Sequence, residues 1–118
     1  MNDLDKLIKA VEGDPAAPVE GVFEFATRDQ AQWAAKAYNG DLNAALRLHE
    51  ALLPGYALER LALWHGCPAT VHIWGTHKER DGKFWHDYRD GRFEANADNP
   101  ARAWLLAILK ALSAQATP

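Results

Sequence analysis

"ATVHIWGTHKERDGKFWHDYRDGRFEANA", residues 69–97, decides the fold class. Residues 69–76 are rich in β-branched and aromatic types, which suit a pleated, half-buried strand. Residues 83–89 alternate, with Phe84, His86 and Tyr88 on one face and Trp85, Asp87 and Arg89 on the other. Asp81-Gly82 between them is a favoured hairpin turn, because both residues tolerate positive φ. A second Asp-Gly, Asp90-Gly91, leads into "RFEANA". Working backwards, "HGCP" (65–68) turns the chain, and "YALERLALW" (56–64) reads as an earlier strand. Its alternation is imperfect, which leaves helix open there. The expectation is an antiparallel meander of three to four strands.

Helices flank this stretch. In "DNPARAWLLAILKAL" (98–112), Asn99 suits the cap and Pro100 the first helical position. Trp104, Leu105, Ile108, Leu109 and Leu112 form a broad apolar stripe. Upstream, "TRDQ" (27–30) is a capping box that opens a helix ending at Asn39-Gly40. Asp41 caps the next helix, whose Leu42, Ala45, Leu46, His49, Leu52 and Leu53 share one side, and Pro54-Gly55 stop it. A short first helix is read over 2–12, with Leu4, Leu7, Ile8 and Val11 at helical spacing. Two prolines make 14–21 a connector, and 22–25 ("VFEF") is at most a brief extended segment.

An antiparallel sheet needs at least one covered face. The fold expected is therefore α+β: an α/β/α sandwich with the long C-terminal helix on one face and first-half helices on the other. One domain spans 1–118, with N-terminal helices and connector over 1–38, the sandwich core over 39–114 and a frayed tail over 115–118. Trp33, Trp64 and Trp104 lie on apolar stripes and are expected in the core, whereas Trp74 and Trp85 are the tryptophans that could be exposed.

A chain of 118 residues fits one domain with one core. Its net charge of -3 gives no global pull toward long nucleic acid or anionic lipid. No apolar run approaches the roughly 20 residues that span a bilayer. The first fourteen residues lack the basic start and apolar block of a signal peptide, so a cytoplasmic location is expected. Cys67 is the single cysteine, excluding an internal disulfide, and is read as a turn residue.

Two blocks carry a family resemblance: "GDLNAALRLHEALLPGY" (40–56) and "FEANADNPARAWLLAILKAL" (93–112). The first resembles a helix ending in "LLPG" before the first strand. The second resembles an "A-x-TPA-x-A" entry to a last helix, with Asn99 standing where threonine is common; asparagine caps equally well. These are features of the small bacteriophage-encoded ABA sandwich proteins. The likeness covers roughly residues 40–114, with a looser match before that. It implies a sandwich fold and a phage or prophage accessory role in the host cytoplasm. Its motifs are a helix stop and a helix start, so no catalytic residue comes with it.

The remaining chemistry gathers around the strands. Residues 77–92 hold five Lys/Arg against four carboxylates, net +1, whereas the other residues, with eight basic and twelve acidic, are net -4. Trp74, Trp85 and Tyr88 interleave with Arg80, Lys83, Arg89 and Arg92, and His72 and His86 lie among them. Rings stack on bases while Arg, Lys and His grip phosphate. These residues are the candidate site for a small anionic ligand, a cyclic nucleotide being one such ligand, which is often held between subunits of a homo-oligomer. Sheet aromatics and mixed charge on a hairpin are also what plain structure uses. His65, His72, His77 and His86 lack zinc-site spacing, and no carboxylate pair or nucleophile motif stands out, so no metal, cofactor or catalytic residue is assigned. The function expected is non-enzymatic: a counter-defence protein that binds and sequesters a nucleotide immune signal. Alternatives are a module docking a host enzyme or phage component, and a nucleotide-degrading hydrolase.

Overall fold

The computed structural model describes residues 8, 11–12, 27–64, 66–75, 77–80, 83–86 and 92–116, with the backbone alone for 77–80, 83–86 and 115–116. The 14–21 connector, the 22–25 segment, His65, Asp81-Gly82 and residues 87–91 lie outside the described residues. The elements are α1 (Arg28–Tyr38), α2 (Leu42–Leu52), β1 (Ala57–Ala62), β2 (Ala69–Trp74), β3 (His77–Arg80), β4 (Lys83–His86), β5 (Arg92–Ala97) and α3 (Pro100–Ala116). Ile8, Val11 and Glu12 are helical, and Val11 reaches the core. The fold is α+β, as expected.

Local chemistry sets the helix ends. The Gln30 backbone N–H donates to Thr27 Oγ1 at 3.3 Å, and the Thr27 N–H donates to Gln30 Oε1 at 3.2 Å, completing the capping box. Asp41 Oδ1 accepts from the Ala44 N–H, and Asn99 Oδ1 from the Arg102 N–H. Gly40 and Gly55 stop α1 and α2 at φ of 106° and 88°, where side-chain-bearing residues are strained. Ala and Gln carry α3 past Leu112 to Ala116, into the segment expected to fray.

The main sheet is antiparallel in the order β1-β2-β5, and β3 pairs with β4 in a separate two-stranded ribbon. The ribbon thus lies in the connection between β2 and β5, which pair directly from Ala69↔Ala97 to Trp74↔Arg92. The expected meander had residues 83–89 beside β2; the strand found there is β5. Its inward residues explain the choice. Ala97, Ala95 and Phe93 face the same side as Ala69, Val71 and Ile73, and the two alanines let a helix approach closely. On β1, a bulge between Leu58 and Arg60 breaks the alternation.

The helix on that face is α3, which contacts β2 and β5. On its other side α3 contacts both α1 and α2. From Ala101 to Leu109 every residue of α3 except Arg102 is buried. A helix apolar on all sides needs cover on all sides. The first-half helices therefore sit on α3 and not on the second face of the sheet. That second face carries Thr70, His72, Arg92, Glu94 and Asn96 beside Trp74, Ala57 and Ala62, a largely polar set.

The face that α2 buries is also shifted. Ala44, Ala45, Leu48 and His49 are inside, whereas Leu42 and Leu46 are exposed. The apolar arc of α2 is wide enough for either flank to turn inward, and α1 and α3 take the Ala44–Leu48 flank. Trp104 is in the core and Trp33 packs against it. Trp64 is not in the core: β1 ends at Ala62, and Leu63 and Trp64 stand 66% and 60% exposed.

Among the described residues, one polar side chain is buried, that of His49. Trp104 Nε1–H donates to His49 Nδ1 at 3.0 Å, and His49 Nε2 meets the Tyr56 carbonyl oxygen at 2.9 Å. An indole N–H only donates and a carbonyl only accepts, so the imidazole is neutral with its proton on Nε2. This ties α2, α3 and the entry to β1 at one point. Replacing His49 by alanine takes this acceptor from the buried Trp104 indole N–H and this donor from the part-buried Tyr56 carbonyl, and leaves a cavity. We expect His49→Ala to lower stability by about 3 kcal/mol. Trp104→Phe, which removes only the donor and part of the ring, should cost about half that. In urea unfolding, both changes should lower the midpoint with the slope unchanged.

Candidate functional site

Strand alternation carries His72 and Trp74 from β2, and Arg92 and Glu94 from β5, onto the sheet face away from α3. Trp74 and Arg92 are directly opposed, and His72 opposes Glu94. From the third strand, Arg60 opposes His72, and the bulge residue Glu59 reaches across β2. Glu59 meets Arg92 in a fork: Oε2 lies 3.2 Å from Arg92 Nε and Oε1 3.5 Å from Nη2. Arg92 Nη2 also donates to His72 Nδ1 at 2.8 Å. Because the guanidinium has no acceptor, the His72 proton resides on Nε2, which faces Glu94 Oε1 at 3.6 Å. The result is a continuous strip, Glu59–Arg92–His72–Glu94, with Trp74 beside it. Trp74 is half-buried, and its Nε1 is shielded from solvent.

Three sequence candidates, His72, Trp74 and Arg92, are thus brought together. Arg80 and Lys83 are backbone partners in the β3–β4 ribbon, as are Lys78 and Trp85. His86 pairs with His77 in the same ribbon. Tyr88 and Arg89 lie outside the described residues, as do the side chains of Arg80, Lys83, Trp85 and His86. Glu59 and Glu94 are the members that sequence reasoning missed. The alternation of "RFEANA" shows that Arg92 and Glu94 share a face, but the partner strand had to be known to find Glu59. Among the described residues, no group of three or more His, Cys, Asp or Glu could hold a metal ion. Cys67 is exposed in its turn, its N–H donating to the Trp64 carbonyl.

Besides a shallow depression of about 380 Å³ over Arg28, Ala31, Gln32, Ala35 and Lys36, two further ones lie elsewhere among the described residues. One, of about 200 Å³, is lined by Val11, Glu12, Asn96, Asp98 and Arg102. Arg102 is committed there: Nε donates to the Tyr38 carbonyl at 2.9 Å, and the guanidinium stacks 4.1 Å over the Tyr38 ring. The other, of about 240 Å³ between α1 and α2, is lined by Trp33, Lys36, Asp41 and Arg47. Neither contains a sequence candidate.

No family model, curated protein or solved structure matches this chain. The phage-protein resemblance thus stands on residues 40–56 and 93–112 alone. In the structure, those blocks are α2 with its glycine stop and β5 with the Asn99-capped start of α3.

The strip is a test of surface electrostatics. Arg92→Ala should change stability by less than about 1 kcal/mol, because exposed ion pairs contribute little. It should also release the His72 ring from a single tautomer, visible as averaged ring-nitrogen resonances in two-dimensional NMR.

Proposed function

We propose that this protein binds and holds, without chemical change, a small anionic ligand bearing a planar ring, with a nucleotide as the ligand class. The observation that carries the reading is the Trp74–Arg92 cross-strand pair on the polar sheet face. It stands where the chain leaves the sheet for the β3–β4 ribbon and where it returns. A ring can lie against the indole while the guanidinium meets a phosphate. Glu59 and His72 engage Nε and Nη2 of Arg92, so its plane is set before a ligand arrives. That lowers the ordering cost of binding. Arg80, Lys83, Trp85, His86, Tyr88 and Arg89 on the adjoining segment would complete the grip. Taken with the resemblance to phage accessory proteins, the role is sequestration of a host signalling nucleotide.

The test is thermal melting against a panel of cyclic and linear nucleotides. A ligand in about a hundredfold excess over its Kd should raise Tm by roughly 5 °C or more. Arg92→Gln, or Trp85→Ala with Arg89→Ala, should abolish the shift while leaving the unliganded protein folded. Ligand recovered intact after heat release separates holding from hydrolysis. A flat panel overturns the reading, and normal binding by the Trp85/Arg89 double variant removes the ribbon from the site.

A further inference from the structure

We infer that two copies of this chain associate through β1, joining their sheets edge to edge. Among the described residues, β1 pairs with β2 on one side and with no strand on the other. Such an edge presents unpaired backbone groups to a further strand. The occupant is argued from the strand itself. "ALERLA" (57–62) is a palindrome apart from its centre, and at the centre stand opposite charges. Antiparallel pairing about a two-fold axis between Glu59 and Arg60 sets Glu59 opposite Arg60 of the second copy. Leu58 then falls opposite Leu61, and Ala57 opposite Ala62. Moving the register by one residue either way places Arg60 opposite Arg60 or Glu59 opposite Glu59, and like charges directly opposed destabilise a pair.

The bulge supplies the second argument. Directly opposed residues of an antiparallel pair share a face, and a two-fold axis normal to the sheet keeps faces unchanged. In an unbroken strand, Leu58 and Leu61 point to opposite faces, so this register would be forbidden. Here the bulge between Leu58 and Arg60 sets Leu58 beside Ile73 and Leu61 beside Val71, both on the α3 side. Ala57, Arg60 and Ala62 oppose Trp74, His72 and Thr70 on the other face. Bulges often blunt an edge. This one makes the self-complementary register geometrically consistent. It also accounts for exposed apolar groups. Leu58 is 39% exposed at the edge, and the pairing covers it with Leu61.

The experiment is sedimentation equilibrium of the full chain across roughly 1–100 µM. The wild type should be a dimer in this range. Arg60→Glu and Glu59→Arg each place like charges opposite one another twice per dimer, and each should weaken dimerisation about tenfold or more. Both sites are on the surface, and circular dichroism checks that the variants fold. The deciding arm is an equimolar mixture of the two variants, in which both cross-copy pairs at 59 and 60 again join opposite charges, although Arg92 of the Glu59→Arg chain is left without its Glu59 partner. It should form a heterodimer of wild-type mass. A wild type monomeric throughout overturns the inference, as do single variants that dimerise normally or a mixture that stays monomeric.

Discussion

The whole arrangement depends on a helix with no solvent face. α3 is apolar around its circumference from Ala101 to Leu109, with a single arginine interrupting. Such a segment cannot lie on a sheet with its back to water, because each exposed large side chain would forfeit about 2 kcal/mol of burial. Something must cover the far side, and the α1–α2 pair does. Arg102 is no exception to this logic. Its guanidinium is spent on the Tyr38 ring and carbonyl, so a charge inside the helix becomes a link to the end of α1. His49 does the same for α2: a neutral imidazole with one donor and one acceptor meets one acceptor and one donor.

That constraint also sets the character of the sheet. With α3 taking one face and the helical pair recruited to α3, the second face of the sheet is left to polar residues. The charges there are largely compensated within the sheet. The sequence suggests a cationic patch around residues 77–92. In the structure Arg92, one of its five cations, answers to Glu59, a carboxylate 33 positions earlier. An orienting partner of this kind trades raw attraction for geometry. Affinity for an anion there would come from stacking and from the ribbon cations as much as from Arg92.

Much of this was legible in the chain. The capping box at Thr27, the cap at Asp41 and the Asn99-Pro100 start are local features whose donors and acceptors lie within a few residues, and each formed as read. The class followed from the strand-rich middle between helical ends. What was hidden is non-local. Which strand lies beside β2 depends on how closely α3 must approach, and that favours alanines in β5 over the aromatics of β4. Trp64 looked like core because it ends an apolar run, yet a bulge and an early strand end turn it outward. The side of α2 read from the sequence, with Leu42 and Leu46 on it, is shifted for a similar reason: its apolar arc fits more than one neighbour.

The β3–β4 ribbon is an insertion between two strands that close on each other at Trp74 and Arg92. The entropic cost of a connection grows only slowly with its length. The length of the ribbon therefore weighs little on the pairing of β2 with β5. Changes of length at residues 77–86 fall between two strand ends that are already paired, and their toll on folding is small. On the proposed function, evolution can lengthen or shorten the segment that would grip a ligand without renegotiating the β2–β5 pairing.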